Sequence, residues 1–233
     1  DEDIDNQWMK FSPGQETRWF HKFQLIYAPF LYCLMTIYWF ISKDFEQLSR
    51  YERLGLYKGQ GITVQKATRT VIATKVGYAI FTFVLPLIIL PIAWYHVVLG
   101  FLLMHFICGL FLALIFQPAH VIEDTDFVDP GVDLTIENSW AIHQLQTTCN
   151  FANRSRIFSW FIGGLNFQIE HHLFPGICHV HYRKIAPIVK QTAKEYNVPY
   201  YEHKTFAGAL VSHFRVLYQL GMDKFPKMKF HSA

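Results

Sequence analysis

VGYAIFTFVLPLIILPIAWYHVVLGFLLMHFICGLFLALIFQPAHVI, Val76 to Ile122, is a run of 47 residues without one Asp, Glu, Lys or Arg. A single helical crossing of a bilayer takes about 20 apolar residues, so this run is long enough to cross twice. Pro91 and then Trp94, Tyr95 and His96 divide it. Proline interrupts a helix and aromatic residues gather at the headgroup level. The expected elements are membrane helices at 76–95 and 97–118, a transmembrane hairpin over 76–118 that returns the chain to the side it left. A second uncharged stretch, the 20 residues from Phe23 to Ser42, is bracketed by Lys22 and Lys43. As a helix it would reach about 30 Å at about 1.5 Å per residue. Its aromatic load (Phe23, Tyr27, Phe30, Tyr32, Tyr38, Trp39, Phe40) suits an interfacial or re-entrant helix as well as a true span.

Composition agrees with a membrane protein. The 233 residues are 52% hydrophobic and 17% charged, whereas a soluble domain is about 45–50% apolar and about 25% charged. A net charge of +3 is too weak to imply nucleic acid as a partner. The four cysteines, Cys33, Cys108, Cys149 and Cys178, have no paired spacing and predict neither a disulfide framework nor a zinc finger. Residues 1–22 are polar and open on an acidic cluster, Asp1, Glu2, Asp3 and Asp5. Residues 43–75 form a linker with seven bases against three acids, which the positive-inside rule assigns to the cytosol. The hairpin then makes residues 119–233 cytosolic too, consistent with nine bases against three acids from Arg183 onward. This part reads as a helical cap: an acidic loop from Glu123 to Glu137, helices at about 139–152 and 155–173, and a stop at Pro175 and Gly176. The fold class is thus an all-α integral membrane protein, with a transmembrane hairpin, an interfacial or re-entrant helix and a cytosolic cap.

The residues able to carry chemistry are histidines, twelve in all. A lone intramembrane histidine is usually a satisfied hydrogen-bonding residue, and His96 and His105 are read so. The strongest constellation is Gln168, Ile169, Glu170, His171, His172. On a helix, Gln168 shares a face with residues three and four further on, so one amide and two imidazoles converge. Neutral imidazoles suit iron and other borderline transition metals. The surroundings (Phe161, Leu165, Phe167, Leu173, Phe174) are apolar, and two unpartnered histidines would be costly there. His120 is the second element, at the cytosolic end of the second hairpin helix with Gln117 one turn before it. A histidine capping a helix C-terminus is the plainer reading, but geometry favours the other, because His120 and the His171/His172 pair would both face the seam between membrane and cap. His143, His179 and His181 are weaker candidates, expected to support ligands through hydrogen bonds rather than to bind metal.

The string NFQIEHHLFP, Asn166 to Pro175, resembles the third histidine box of membrane fatty-acid desaturases, in the front-end variant with Gln in place of the first His. FQPAHVIED (Phe116 to Asp124) and WAIHQLQTTCNFA (Trp140 to Ala152) resemble the same family, and the likeness runs through essentially the whole chain. It is most similar to bacterial linoleoyl-CoA-type desaturases. The resemblance implies two non-haem iron ions and O2 as co-substrate, inserting a double bond into an acyl chain carried by CoA or by a lipid. It implies His120, His171 and His172 as iron ligands; Gln168 occupies a ligand position but is a poor donor, acting through water or not at all. The family's two earlier boxes, HxxxH and HxxHH, are not in this sequence, and three histidines cannot hold two irons. The expectation is a C-terminal part of a longer protein, inactive alone, with Asp1 to Asn6 following the second box. Boxes two and three must converge, so residues 1–22 are expected in the cytosol and 23–42 in the membrane without crossing. An apolar acyl tunnel lined by the hairpin helices and cap is expected. The electron donor implied is cytochrome b5 or ferredoxin with its reductase. Arg154, Arg156, Arg183 and Lys184, with Lys190 and Lys194, are candidates to dock that donor, a CoA phosphate or a lipid headgroup. The implied location is a bacterial cytoplasmic membrane with the active face cytoplasmic. A hydroxylase on the same scaffold, a zinc-dependent membrane hydrolase and a non-catalytic anchor are the alternatives.

Overall fold

A computed structural model of the chain describes residues 7–127 and 139–225. The acidic cluster at 1–5, and the acidic loop from residue 128 to 137, lie outside the described residues. In chain order the elements are helices α1 (His21–Arg53), α2 (Val64–Ile89) and α3 (Trp94–His120), then α4 (Trp140–Thr147), strand β1 (Cys149–Phe151), α5 (Arg156–Phe161), α6 (Gln168–Leu173), α7 (Tyr182–Glu195), strand β2 (Tyr201–His203) and α8 (Phe206–Gly221).

Helices α1, α2 and α3 have 33, 26 and 27 residues, and each is long and apolar enough to cross a membrane. Their boundaries differ from the sequence expectation for identifiable reasons. Charge marks where a helix leaves an apolar medium, not where the helix itself stops. So α2 begins at Val64 instead of 76 and takes Lys66, Arg69 and Lys75 into its first turns. Its start is set by Thr63, an extended residue whose hydroxyl accepts a hydrogen bond from the Lys66 backbone N–H at 3.3 Å. The break between α2 and α3 falls at Leu90–Ala93, around Pro91, and Trp94–Tyr95–His96 opens α3 rather than closing α2. The 23–42 stretch is part of one helix running without reversal from His21 to Arg53, passing through a π-helical segment at Trp39–Lys43.

The chain forms two compact units. In the unit spanning Pro29–Ala113, the helices meet around His105, whose ring sits 4.4 Å from Phe101 and bonds Tyr78 Oη at 3.1 Å and Thr36 Oγ1 at 3.0 Å. Both ring nitrogens are engaged, so this histidine is satisfied within its apolar surroundings. Gly109 lets two backbones touch: a Cβ there would stand 2.7 Å from the Tyr32 and Cys33 carbonyl oxygens. Lys75 pairs with Asp44 at 2.8 Å and lies over the Phe40 and Phe45 rings. Outward faces are apolar, with Phe81 69%, Ile88 76% and Leu103 62% exposed, the pattern of surfaces not meant for water.

The other unit contains residues up to Ala28 and from Leu114 onward. It is not all helix. The stretch expected as one helix at 139–152 ends at Thr147, and Cys149–Phe151 pairs in parallel with Tyr201–His203, Asn150 opposite Glu202. The β-branched pair Thr147–Thr148 and the sheet-compatible Cys and Phe explain the switch. The expected 155–173 helix is likewise two helices, interrupted by Gly163 and Gly164 at φ 63° and 74°, a left-handed turn that glycine adopts at little cost. The core of this unit gathers Ile115, Ala119, Phe151, Ile162 and Ala209. The N-terminal residues join it: buried Gln24 bonds the Lys10 backbone and the Leu217 carbonyl, and Lys10 Nζ reaches Asp223 at 3.0 Å.

Candidate metal centre

The Gly163–Gly164 turn decides where the histidine-bearing helix starts. It folds the chain back so that Phe167 N–H bonds Gly164 O at 2.9 Å, and α6 begins one residue later. Six residues are too few to hold a helix by themselves, and a buried polar cluster supplies the hold. Glu170 is fully buried. Asn150 on β1 donates from Nδ2 to Glu170 Oε2 at 2.8 Å, and Tyr200 Oη donates to Glu170 Oε1 at 2.9 Å. Asn150 Nδ2 also lies 2.7 Å from Tyr200 Oη, and Asn150 Oδ1 accepts from the Ile169 N–H at 3.0 Å. Burial raises the Glu170 pKa and also that of Tyr200, against the pull of these donors on the carboxylate. The strand pair therefore grips α6 from the face opposite its histidines.

On the exposed face of that grip stand His171 and His172. The His120 ring, at the end of α3, lies 5.0 Å from the His172 ring, centroid to centroid, and the His171 and His172 rings are 5.8 Å apart. Residues 52 positions apart in sequence are thus neighbours. Burial, with the neighbouring His120 and His171 rings, lowers the His172 pKa to about 4. At neutral pH this imidazole is uncharged and keeps a lone pair, the form a metal requires. His172 Nδ1 is 2.6 Å from Gln144 Oε1, and Gln168 Nε2 is 3.2 Å from His172 Nε2. His171 Nδ1 faces Tyr182 Oη at 3.3 Å.

The remaining candidates are less central. His143 is half-buried and its Nδ1 is buried with no hydrogen-bond partner among the described residues; its neighbour Gln144 is the residue that reaches His172. His179 and His181 are exposed beyond the Pro175–Gly176 break. Gln117 contributes its carbonyl to the last turn of α3, accepting from Val121 N–H at 2.9 Å. Arg154, Arg156 and Lys184 are exposed, whereas the Arg183 guanidinium lies over the Phe167 ring at 5.8 Å and Lys190 is paired with Glu202 at 2.6 Å. Gln144, Asn150, Tyr182 and Tyr200 are functional neighbours that sequence spacing did not single out. Gln144 and Asn150 lie within a string quoted above, but only folding assigns them partners.

The donor chemistry fits part of a metal shell. Among the described residues no group of three or more His, Cys, Asp or Glu side chains is arranged to hold a metal ion. Three imidazoles do gather, and Gln168 Oε1 is a buried carbonyl oxygen with no hydrogen-bond partner among the described residues. An acceptor left so costs about 1–3 kcal/mol, which coordination to a cation would offset.

The chain is 37% identical over 221 residues to an sn-1 linoleoyl-lipid 6-desaturase of Arthrospira platensis, covering 92% of this chain and 57% of the relative. It is 36% identical to an acyl-lipid (8-3)-desaturase of Dictyostelium discoideum, over 91% of this chain and 46% of the relative, and 36% identical to an acyl-lipid (8-3)-desaturase of Physcomitrium patens, over 91% and 43%. The chain thus spans about half the length of these curated relatives. No solved structure matches it. The fatty acid desaturase family model matches residues 1–204, α1 to β2 with the histidine helix included, and the chain belongs to that family.

Proposed function

We propose that this chain is the part of an acyl-lipid desaturase that carries the third histidine box, and that His120, His171 and His172 are ligands of a pair of non-haem irons. The observation that carries the proposal is the approach of His120 to His172 across 52 positions of sequence, beside a neutral His172 and a Gln168 carbonyl without a partner among the described residues. Gln168 is assigned to the same shell, directly or through water. Bound iron with O2 and two electrons supplies the power to remove two hydrogens from adjacent methylenes, whose C–H bonds have no proton acidic enough for a side-chain base. O2, two electrons and two protons are consumed, and two waters and one double bond result. An acyl group on a lipid is favoured over one on CoA, because the relatives are named for lipid-linked chains.

The chain's own residues act by holding and excluding. The Glu170–Asn150–Tyr200 cluster fixes α6, and burial keeps His172 unprotonated. Helices α1 to α3 are assigned to the bilayer, with the histidine face on the cytoplasmic side. Electrons are assigned to a small acidic carrier of the cytochrome b5 or ferredoxin class, docking on exposed Arg154, Arg156 and Lys184. The test is metal analysis and fatty-acid product analysis of the full-length protein in detergent, beside the His171→Ala/His172→Ala variant. Iron that falls in the variant together with a new double bond in lipid-linked acyl chains supports the proposal. Bound zinc with no iron, or a hydroxylated product, overturns it in favour of a hydrolase or a hydroxylase.

A further inference from the structure

The two contacts of the His172 ring are chemically unequal, and their inequality specifies where its proton sits. Nδ1 is 2.6 Å from Gln144 Oε1, and Nε2 is 3.2 Å from Gln168 Nε2. The shorter is close to an N–H···O separation, while a nitrogen–nitrogen pair sits farther apart. An amide oxygen has no hydrogen to give, so Nδ1 carries the proton and donates it to Gln144. Nε2 is then the nitrogen with the free lone pair, and it accepts from the Gln168 amide N–H. One amide on α4 and one on α6 thus select a single tautomer of one imidazole.

Resting on the metal reading above, we propose that Gln144 is a positioning residue for the metal centre. Its carbonyl holds His172 as the Nδ1–H tautomer, so that Nε2 is the donor atom presented to metal, and it fixes the ring's rotation about its own axis. The placement suits that task. Gln144 sits one turn before Thr147, where α4 gives way to the β1 strand, and Leu145 beside it is buried against Ile169 of α6. The hydrogen bond therefore spans two elements already packed together, and the ring is held by a rigid neighbour rather than by a loop. Gln168 plays the complementary part: its amide covers the Nε2 lone pair, and its Oε1, without a partner among the described residues, would be a donor to a bound ion.

The test is cobalt(II) titration of the full-length protein in detergent, read by the visible absorption of bound cobalt, with thermal unfolding of the metal-free protein alongside. Gln144→Leu removes the acceptor and is expected to weaken cobalt binding about 10- to 100-fold, with little change in metal-free melting. Gln144→Glu restores an acceptor for Nδ1–H and is expected to bind within a few-fold of the wild type. Should the Leu variant fail to fold, Gln144→Met, of matching length and without an acceptor, carries the same expectation. Wild-type affinity in the Leu or Met variant overturns the proposal. So does equal weakening in the Leu and Glu variants, which would make Gln144 a packing residue. A wild-type protein that binds no cobalt overturns the metal reading and this inference with it, whereas a wild type that binds and a Gln144 that is indifferent overturns only the inference.

Discussion

Asn150→Ala removes the residue that ties the histidine helix to the sheet. Its side chain makes three contacts, to Glu170 Oε2 at 2.8 Å, to Tyr200 Oη at 2.7 Å and from the Ile169 N–H at 3.0 Å. Alanine leaves two groups orphaned in a dry place, the Ile169 N–H and one oxygen of Glu170, both on residues of zero relative exposure. At about 1–3 kcal/mol for each buried unsatisfied group, the loss is about 4 kcal/mol. Because α6 has six residues and no independent stability, that loss falls on local opening of the β1–α6 contact. Cys149, fully buried and adjacent to Asn150, reports it directly. With Cys33, Cys108 and Cys178 replaced by alanine, the remaining thiol reacts with a maleimide only when this region opens. At about 1.4 kcal/mol per decade, Asn150→Ala should speed labelling about a thousandfold under native conditions. A rate within threefold of the parent would refute the account of α6 as a helix held by Asn150. Combining Asn150→Ala with Glu170→Leu should cost less than the two changes summed, because the carboxylate that lost its donor is then gone.

Protonation and steric effects give further checks. His213 is fully buried on α8 and donates from Nδ1 to the Val121 carbonyl at 2.8 Å; burial lowers its pKa to about 4 against about 6.5 in the unfolded chain. The unfolded state therefore binds a proton that the native state refuses between these values. Stability is constant from this source above about pH 6.5 and falls by up to about 3 kcal/mol as the pH drops toward 4. Denaturant titrations across that range should show the slope, and His213→Gln should flatten it. Gly109→Ala forces a Cβ to within 2.7 Å of two backbone carbonyl oxygens, so the helices must separate. A loss of about 1–3 kcal/mol is expected, visible as a lower melting temperature in detergent, and an unchanged melting temperature would contradict the close approach.

Much was legible in sequence because its signals are local. An uncharged run of 47 residues, a proline inside it, and an amide and two histidines at helical spacing are facts about neighbours along the chain. They announce apolar helices and one helix face that carries an amide and two imidazoles. Element boundaries were less legible. Lys66, Arg69 and Lys75 look like linker in a charge profile, yet they belong to α2 because a helix continues wherever its backbone bonds and cap allow. The run from Thr148 to Phe151 was read as helix because its pairing partner, Tyr201–His203, lies 52 positions away. A three-residue strand has too short a period to betray itself.

For this protein, the sequence alone determined the apolar character of α1 to α3, the His171–His172 pair and its family, since each depends on residue type and short spacing. Tertiary structure decided what those histidines meet. His120 comes beside His172, Gln144 rather than His143 reaches His172 Nδ1, and Asn150 and Tyr200 close over Glu170. The physical reason is that hydrogen bonds and ring contacts act over about 3 to 6 Å in space and carry no mark in a linear chain. A buried glutamate in QIEHH declares a need for donors, and only the folded chain supplies their names.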